Sequence, residues 1–507
     1  MLATILSSAL QGIDATLVEV EVDVSRGLPQ LSIVGLPEAS VRESRERVRS
    51  AIRNSGYVFP AERVTINLAP ADLRKEGSAY DLPIALGLLA ASGTLPPERL
   101  TGRMILGELS LDGRVKPVRG ALPVADAAAG RAIRQLILPA ANAREAAIVG
   151  GIDVFGVTSL GEAVEFLLER APLHPVLSPT DWLATDSGGA LDAVDLAEVH
   201  GQQHAKRALE IAAAGGHNLL LIGPPGAGKT MLAARIATIL PQTTRAEAIE
   251  IIKVRSVSGV PQNAARPASR PFRAPHHTIS AVAVTGGGPF LRPGEVTLAH
   301  HGVLFLDELP EFPRHVLEVL RQPMEERRVT LSRAHGSVTL PASFLLVAAM
   351  NPCPCGYLGD ARRACTCSAG EAHRYRSRIS GPLLDRIDLQ IEVPALRPAE
   401  LRAEAAAEPS AAVRARVGAA RSRQVARLAP SATTCNAQMT SRELRRHCAI
   451  TPEGRRLLET AADRLGLSAR AYGRILKVAR TIADLAASDI VRPEHVAESI
   501  QYRTPER

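Results

Sequence analysis

Alternating apolar and polar residues mark the beginning of the chain. The alternation runs over 15–24 and again over 31–34, which predicts two half-buried strands of a hairpin with Arg26 and Gly27 near its turn. The elements predicted after it are helices over 37–55 and 82–91, strands over 64–68 and 135–139, and a hairpin turning at Asp112-Gly113. Together they predict an α+β domain over residues 1–171.

The middle of the chain has a different pattern, because short, fully apolar runs each end in polar residues. These runs cover 219–222, 303–306 and 344–350, and they are typical of parallel strands buried on both faces. From residue 396 onward the apolar spacing is helical. The pattern predicts an α/β core over 193–395 and a helical domain over 396–507, with a Pro-, Ser- and Gly-containing linker over 172–192.

The loop after the first apolar run has the composition of a phosphate-binding loop. Its glycines let backbone N–H groups curl around phosphates, and the helix that follows adds a partial positive charge. Lys229 can reach the β- and γ-phosphates of ATP, and the Thr230 hydroxyl can bind Mg²⁺. A chance glycine-rich turn is the alternative. The residues predicted to bind ATP here are Gly223, Pro224, Pro225, Gly226, Ala227, Gly228, Lys229 and Thr230.

Polar residues at the ends of the next two apolar runs complete a hydrolytic site. Asp307 is predicted to hold Mg²⁺ directly or through water, and Glu308 to polarise the attacking water. Asn351 would lie level with the phosphates, and we predict that it orients the water or contacts the γ-phosphate. A loop-capping asparagine is the alternative at that position. The pattern therefore predicts a hydrolase rather than a nucleotide-binding module alone.

Composition narrows the class of protein. The 507 residues are 46% hydrophobic and 22% charged, as in soluble globular proteins, with a formal net charge of +8. The basic balance favours a polyanionic partner, whereas 3% aromatic residues argue against extensive base-stacking platforms. We recognise no signal peptide and no apolar stretch long enough to span a bilayer, so we expect a cytoplasmic protein without a membrane partner.

Four of the six cysteines are clustered directly after Asn351. They form two Cys-x-Cys pairs with nine residues between them, and their thiolates could hold a tetrahedral Zn²⁺. Reduced structural cysteines are the alternative, and either reading suits a reducing compartment. The His276-His277 pair has no third ligand at useful spacing, so no metal is predicted there. The clustered residues are Cys353, Cys355, Cys365 and Cys367.

Two stretches of the first domain, 75–85 and 101–120, resemble the proteolytic domain of Lon proteases. Those proteases pair a serine nucleophile with a lysine base, but the matching positions here are Ala79 and Leu122. A serine at 78 and a lysine at 116 are close in sequence but not at those positions, and a hydroxyl without its base is not an activated nucleophile. The resemblance implies a protease-like fold without peptidase activity, acting as an interaction or assembly module.

The central region resembles AAA+ ATPases, and this resemblance implies further roles. Val199 and His200 match the segment that packs on the adenine, although an ordinary lead-in to a helix is the alternative. Asn351 matches the sensor-1 position. The string Leu-Leu-Asp-Arg-Ile-Asp over 383–388 resembles the arginine-finger motif of magnesium-chelatase ATPase subunits and related replicative helicases.

The implied arginine finger is Arg386, with Arg378 as the alternative. A finger that reaches the γ-phosphate of a neighbouring subunit implies a ring, and hexamers are usual in the family. The helix predicted after residue 467 resembles the lid segment that carries sensor 2, which implies Arg470 in that role. Arg474, one turn further on, and solvated arginines on a lid helix are the alternatives.

Residues 327–341 alternate around an Ala-His-Gly turn, which predicts a β-hairpin. Hairpins here and in the insertion over 270–288, between the phosphate-binding loop and Asp307, mark the helicase-and-chelatase branch of AAA+ proteins, where they can project into the pore of the ring. Arg333 and His335 near the tip would suit a phosphate backbone, so we predict that they contact DNA.

The whole chain resembles the magnesium-chelatase-like ATPases of the YifB/ComM type. This implies a hexameric DNA helicase that binds single-stranded or branched DNA, drives branch migration during integration of transforming DNA, and works beside recombination proteins. One alternative is a motor that inserts a metal ion into a tetrapyrrole, but no metal-ion-adhesion domain follows the lid. Another is an ATP-dependent protease or protein remodeller, against which Ala79 and Leu122 argue.

Overall fold

The computed structural model describes residues 1–131, 133–178, 182–183, 194–259, 268–288, 292–333, 336–360, 362–395, 408–429, 431 and 433–503. The chain divides into two compact units. Unit 1 comprises Met1–Ala184 with Ala248–Ala268, and unit 2 comprises Thr185–Glu247 with Ser269–Arg507. Both units combine strands with helices, and the carboxyl-terminal part of unit 2 is helical, so the predicted α/β class is confirmed.

Unit 1 is built on a mixed sheet. Its described strands are β1 (Leu2–Gln11), β2 (Asp14–Ser25), β3 (Gln30–Val34), β4 (Arg63–Ala69), β5 (Arg103–Ile105), β6 (Glu108–Leu109), β7 (Val115–Lys116), β8 (Gln135–Pro139) and β9 (Asp153–Val157). Seven of them form one sheet in the order β3-β4-β2-β1-β5-β8-β9, and β6 pairs with β7 in the predicted hairpin around Asp112-Gly113. Val18, Val20 and Val22 face the core, because alternate residues of a strand point to the same side.

The hairpin predicted between 15–24 and 31–34 is wrong. Although both strands are fully described, β2 and β3 do not pair, because β4 lies between them, antiparallel to β2 and parallel to β3. The hairpin partner of β2 is β1, and their ten paired positions run from Leu2↔Asp23 to Gln11↔Asp14. Gly12 in the connecting turn has a φ of +66°, which glycine adopts without strain. A tight turn at this glycine allows the long continuous pairing.

The helices of unit 1 agree with the sequence patterns. Its described helices are Ala39–Asn54, Asp81–Ala91, Ala121–Gly130, Ala140–Ala146 and Leu160–Leu167, with a 3-10 helix over Pro97–Leu100. Every residue of Asp81–Ala91 is buried, which explains why this helix is apolar on all sides. The helices predicted over 37–55 and 82–91 are therefore confirmed to within two residues at each end.

One segment of unit 1 comes from the middle of the chain. The helix Arg245–Ser258 begins in unit 2 and ends in unit 1, since the division lies between Glu247 and Ala248. Ala248, Ile252 and Ala268 share a buried apolar cluster with Leu122, Ile148 and Trp182. A boundary drawn at residue 171 leaves this segment out, because apolar contacts rather than chain order define the unit.

Unit 2 contains a five-stranded parallel sheet. Its described strands are β10 (Leu219–Ile222), β11 (Phe272–Arg273), β12 (Gly286–Gly287), β13 (Arg292–Pro293), β14 (Val303–Leu306), β15 (Arg328–Arg333), β16 (Gly336–Pro341), β17 (Leu345–Met350) and β18 (Leu389–Glu392). The parallel order is β11-β14-β17-β10-β18, with every residue of β14 and β17 buried. This burial explains the fully apolar runs seen in the sequence.

Helices complete unit 2. Those before residue 395 are Gln203–Gly215, Lys229–Ile239, Ala281–Thr285, Glu295–Leu298, Arg314–Glu318, Arg321–Glu326, Ala369–Arg376 and Gly381–Leu384, with 3-10 helices Leu196–Glu198 and Leu309–Glu311. The lid helices are Ser410–Leu428, Ser441–His447, Pro452–Leu465, Ala469–Leu485 and Pro493–Gln501, with a 3-10 helix over Asn436–Gln438. Across the described part of the chain, none of the helices combines the length and the apolar character needed to cross a membrane.

The hairpin predicted over 327–341 is confirmed. Strands β15 and β16 pair antiparallel from Arg328↔Pro341 to Arg333↔Gly336. One face carries a polar ladder, in which the Thr330 and Thr339 hydroxyls lie 3.2 Å apart, whereas Val329 is buried. The hairpin is therefore anchored in unit 2 by its apolar face and exposes its polar one.

Candidate nucleotide-binding site

The phosphate-binding loop connects β10 to the helix Lys229–Ile239. Gly226 and Gly228 have φ angles of +78° and +86°, in the left-handed region that favours glycine. At Gly223 a Cβ atom would lie 2.2 Å from the backbone oxygen of Val393, so only glycine fits beside β18 at this point. The loop glycines are thus required by backbone geometry as well as by the predicted phosphate contacts.

Lys229 is held inside this loop. Its Nζ atom donates hydrogen bonds to the backbone oxygens of Gly223 at 2.7 Å and Pro224 at 2.9 Å, and to Oδ1 of Asn351 at 3.1 Å. The side chain is buried, and this burial lowers the pKa of its ammonium group, against the attraction of Asp307 and Glu308. Asn351 follows β17, which pairs with β10, and this pairing explains why the predicted sensor lies beside the predicted phosphate ligand.

Thr230 and Asp307 are also brought together. The Thr230 Oγ1 atom donates a hydrogen bond to Asp307 Oδ2 at 2.7 Å. Two oxygens that share an octahedral Mg²⁺ at about 2.1 Å lie about 3.0 Å apart, so this pair of hard oxygen donors fits the ion. The predicted magnesium ligands, which are 77 residues apart in sequence, therefore form one cluster at the carboxyl ends of the parallel strands.

Glu308 is presented to solvent by an unusual backbone conformation. Its φ is +52°, and its side chain is 57% exposed, with Oε2 3.4 Å from Nδ1 of His277. A side chain in this conformation is rare outside functional or strained positions. The sequence patterns do not predict this contact with His277. The paired histidines between the phosphate-binding loop and Asp307 were the available signal.

The segment predicted to pack on adenine is anchored to the phosphate-binding helix. Val199 is buried in the core of unit 2, and His200 is exposed. Arg235 of the helix Lys229–Ile239 donates to the backbone oxygen of Asp195 at 2.9 Å and forms an ion pair with Glu198. These contacts hold the 3-10 helix Leu196–Glu198 against the helix that follows the loop, and the role of Val199 and His200 in base binding stays a prediction.

The arginines predicted as finger and as sensor 2 do not lie beside the phosphate-binding loop of their own chain. Arg386 and Asp388 precede β18, and Asn218, which precedes β10, donates from Nδ2 to the backbone oxygen of Arg386 at 3.0 Å. Arg474 Nη1 of the lid is 3.3 Å from Asp388 Oδ1. These residues therefore occupy the amino ends of the parallel strands, whereas the phosphate-binding loop occupies the carboxyl ends.

The distance between these two edges follows from strand geometry. With a rise of about 3.3 Å per residue, the five steps from Asn218 to Gly223 cover about 16 Å. That exceeds the reach of an arginine side chain. Arg386 cannot touch a phosphate held by the loop of its own chain.

The four candidate arginines differ in exposure and in partner. Arg386 is 8% exposed and binds Glu325 Oε1 at 2.6 Å, whereas Arg378 is 54% exposed and binds Glu311 Oε2 at 3.1 Å. Arg470, which is 58% exposed, lies 3.9 Å from the same Glu325 oxygen. Arg386, Arg470 and Arg474 thus converge at one place in unit 2.

Arg386 also lines a cleft of about 150 Å³ at this edge. The other cationic side chains of the lining are Arg270, Arg327, Arg421, Arg474 and Lys477, against the carboxylates of Glu247 and Asp388. Burial lowers the pKa of Lys477 and so opposes its positive charge. A cleft with this excess of cations is suited to an anion.

The predicted DNA contacts are only partly described. Arg333 ends β15, opposite Gly336 in the hairpin. His335 lies outside the described residues. The base of the hairpin carries Arg328, 3.6 Å from Glu326. The prediction that Arg333 and His335 contact DNA remains a prediction.

The four clustered cysteines surround a common point. The Sγ atom of Cys353 lies 3.4 Å from that of Cys355 and 3.7 Å from that of Cys365, and the Cys355 and Cys365 sulfurs are 3.5 Å apart. The Cys367 sulfur belongs to the same group and accepts from the amide of Cys355 at 3.4 Å. Amide donors at Tyr357 and Thr366 lower the pKa of the Cys355 thiol to about 5. This cluster could hold a metal ion.

The positions that match the Lon dyad have no catalytic arrangement in unit 1. Leu122 is fully buried, and Ala79 packs at the border of an apolar cluster. The Ser78 hydroxyl donates to a Glu108 carboxylate oxygen rather than to a lysine, and Lys75 is buried and donates to the backbone oxygen of Pro70. A lysine–serine pair is not formed by these described residues.

Family comparisons cover nearly all of the chain. Residues 195–401 match the family model described as magnesium chelatase, subunit ChlI, residues 20–142 match subunit ChlI of Mg-chelatase, and residues 407–503 match the carboxyl-terminal ChlI family. The chain is also similar to Lon protease 2 of Bacillus subtilis, with 25% identity over 182 residues that cover 31% of this chain and 32% of that protein.

Two relatives match from end to end. Competence protein ComM of Haemophilus influenzae is 46% identical over 504 residues, which cover 99% of this chain and 97% of ComM. YifB of Escherichia coli K12 is 46% identical over 508 residues, which cover 100% of this chain and 98% of YifB. With the nucleotide site and these similarities together, the chain belongs to the magnesium-chelatase-like ATPases of the YifB/ComM type.

Proposed function

We propose that this protein is an ATP-hydrolysing ring motor that acts on single-stranded or branched DNA in the cytoplasm. Its task would be helicase-driven branch migration that promotes integration of transforming DNA, beside other recombination proteins. The observation that carries the motor part is the paired contact of Lys229 with Asn351 and of Thr230 with Asp307. The name of the relative ComM, a competence protein, supports the DNA part.

Each side chain of the carboxyl edge has a distinct task in this proposal. Lys229 neutralises charge on the β- and γ-phosphates, and Thr230 and Asp307 hold Mg²⁺, which polarises the phosphoryl oxygens when bound. Glu308 accepts a proton from the attacking water, and its carboxylate is 57% exposed, with Oε2 3.4 Å from Nδ1 of His277. Asn351 orients the water or the γ-phosphate. Val199 and His200 bind the base.

The proposed ring follows from the separation of Arg386, at the amino ends of the parallel strands, from the phosphate-binding loop at their carboxyl ends. Because Arg386 is about 16 Å from the loop of its own chain, by a rise of about 3.3 Å per residue, it can assist hydrolysis only at a second copy. Its guanidinium would exchange Glu325 for the γ-phosphate of the neighbour, and the cationic cleft beside it suits that anion. Arg470 or Arg474 would act at the same neighbouring phosphate, as sensor 2. We propose a homo-hexamer, the usual ring of the family.

The proposed DNA contact rests on the hairpin β15–β16 and on the net charge of +8. The apolar face of the hairpin packs on unit 2, so its polar face, which carries Thr330 and Thr339, is available to a strand in a pore. Arg333 and His335 would contact phosphates there. A metal-insertion motor is the alternative that the magnesium-chelatase family models favour, and it predicts ATP turnover that is independent of DNA.

Zinc is part of the proposal. A tetrahedral Zn²⁺ bound to sulfurs at about 2.3 Å separates them by about 3.8 Å. The measured separations of 3.4, 3.5 and 3.7 Å are close to that value, and far from the length of a disulfide bond of about 2.05 Å. We therefore assign Cys353, Cys355, Cys365 and Cys367 to one structural Zn²⁺.

The test is the ATP hydrolysis rate of the full chain with and without single-stranded and forked DNA, over a salt series. We expect stimulation by DNA, and ATP-dependent DNA binding that weakens as salt rises. The double variant Arg333→Ala/His335→Ala should weaken DNA binding and lower its salt slope by about 1, for the lost contact of the Arg333 guanidinium with a phosphate. Arg328→Ala, at the base of the hairpin, is the matched control. Absence of both stimulation and DNA binding would exclude the DNA motor.

A further inference from the structure

The cysteine cluster lies directly beside the nucleotide site. Cys353 is two residues after Asn351, whose Oδ1 accepts from Lys229 at 3.1 Å. The Gly223 amide donates to the backbone oxygen of Met350 at 3.2 Å, so the phosphate-binding loop and the start of the cysteine segment leave the sheet together. Any displacement of the cysteine segment therefore acts on residues that we assign to phosphate binding.

The turn within the cluster contacts the phosphate-binding loop. The Gly356 amide donates to the backbone oxygen of Cys353 at 3.0 Å, and Gly356 has a φ of +85°. A Cβ atom at Gly356 would lie 2.6 Å from Cδ of Pro225, the third residue of the phosphate-binding loop. The backbone of the cysteine turn is thus packed against Pro225, with no room for a side chain.

The second cysteine pair is held by a helix that returns to the same place. Cys367 precedes Ser368, whose hydroxyl accepts from the Glu371 amide at 3.2 Å in a capping box that begins the helix Ala369–Arg376. At the end of this helix, Arg376 Nε donates to the backbone oxygen of Pro352 at 3.1 Å. The helix therefore contacts the segment between Asn351 and the first cysteine pair.

We propose that zinc at these four cysteines holds the turn at Gly356 against Pro225 and is required for tight ATP binding. This rests on the zinc site of the proposed function and adds a role for it. A metal ion that joins Cys353 and Cys355 to Cys365 and Cys367 closes the loop between the pairs, to which the hydrogen bond from Arg363 Nη1 to the Tyr357 hydroxyl at 2.9 Å also contributes. The ion does not contact the nucleotide; it fixes the position of the Gly356 turn beside the phosphate-binding loop.

The experiment measures zinc content and nucleotide affinity in the same preparations of the full chain, purified without a His-tag. The probe is a fluorescent ATP analogue with Mg²⁺ and no DNA. We expect about one zinc ion per chain in the wild type and in Cys448→Ala, a buried cysteine outside the cluster. Cys365→Ser/Cys367→Ser should lose the zinc and raise the Kd at least about tenfold. Circular dichroism monitors folding.

The variant Gly356→Ala tests the contact between Gly356 and Pro225 without changing the metal ligands. All four thiols remain, so zinc should be retained, but the new methyl group must displace Pro225, and the Kd should rise. An unchanged Kd in this variant, or in the zinc-free double variant, overturns the inference while the zinc site stands. Absence of zinc from the wild type, or iron in its place, overturns the zinc site and the inference together. Neither outcome depends on whether DNA stimulates the ATPase.

Discussion

Two regions of this chain resemble enzyme sites, and they differ in what has been retained. In unit 2 the polar residues at strand ends contact one another, as Lys229 does with Asn351 and Thr230 with Asp307. In unit 1 the two positions that match the Lon dyad are apolar, and Leu122 packs in a buried cluster with Ile252. The difference teaches that a fold can be kept while its chemistry is replaced by packing, so that function must be argued from side chains.

The same comparison explains why unit 1 includes a segment from the middle of the chain. Leu122 shares its buried cluster with Ala248 and Ile252, which come from the helix that begins next to the phosphate-binding region in sequence. A lysine at position 122 would place a charge in that cluster, and an unpaired buried charge is strongly unfavourable. Leucine at this position avoids that cost, and it leaves unit 1 without the lysine that a Lon-type dyad would need there.

The largest effect on ATP hydrolysis is expected at Arg386, the proposed arginine finger. Arg386→Ala should lower the rate of ATP hydrolysis by about 10³-fold or more, as for other arginine fingers, and leave nucleotide binding intact. Mixing it with Lys229→Ala subunits should restore turnover, because intact loops then meet intact fingers in one ring. Arg378→Ala, at the more exposed arginine, is the matched variant. If Arg378→Ala loses turnover and Arg386→Ala does not, the finger is Arg378.

The second-largest effect on ATP hydrolysis is expected at Glu308, the proposed general base. Glu308→Gln removes the proton acceptor but keeps the size of the side chain, so the hydrolysis rate should fall by about 10²- to 10⁴-fold with ATP binding retained. Lys229→Ala should instead lose ATP binding. The control is Glu326→Gln, an exposed carboxylate at the base of the hairpin. Hydrolysis at the wild-type rate in Glu308→Gln would show that another residue is the base.

The smallest effect is expected at the Lon-like positions. Ser78→Ala should leave ATP hydrolysis unchanged, and a serine-directed fluorophosphonate should not label the protein, because Ser78 binds Glu108 and has no lysine base. By contrast, Leu122→Ala should destabilise unit 1 by about 2–5 kcal/mol in thermal or urea unfolding, as for other buried leucines. Labelling at Ser78 would restore a peptidase role to this unit.

Much of the nucleotide site could be predicted because each of its parts has its own local sequence pattern. The phosphate-binding loop, Asp307 and Asn351 each follow an apolar run, and parallel strands bring their carboxyl ends to one edge. The contacts of His277 with Glu308, Glu325 with Arg386 and Gly356 with Pro225 were not predicted. Each of these contacts joins two segments that no sequence pattern relates to each other, so only the three-dimensional structure reveals the contact.

The strand pairing of unit 1 shows the same limit. Alternation identified β2 and β3 correctly as strands, but it carries no information on partners, and β4 lies between them. Chain order predicts that the segment 248–268 belongs to the ATPase core, whereas Ala248, Ile252 and Ala268 pack in a buried cluster of unit 1. The sequence pattern shows that a surface is apolar and will be buried. It does not show which other surface of the chain will cover it.

The sequence by itself determined which chemical groups are available to this protein: a loop predicted to bind phosphate, carboxylates predicted to serve magnesium and water, and four clustered thiols. The tertiary structure alone decided where that chemistry acts. It places Lys229, Asp307 and Asn351 at one edge of the sheet and Arg386 with Arg474 at the other. The physical reason is that residue types set which bonds are possible, whereas the direction and order of the strands set which residues of one chain can meet.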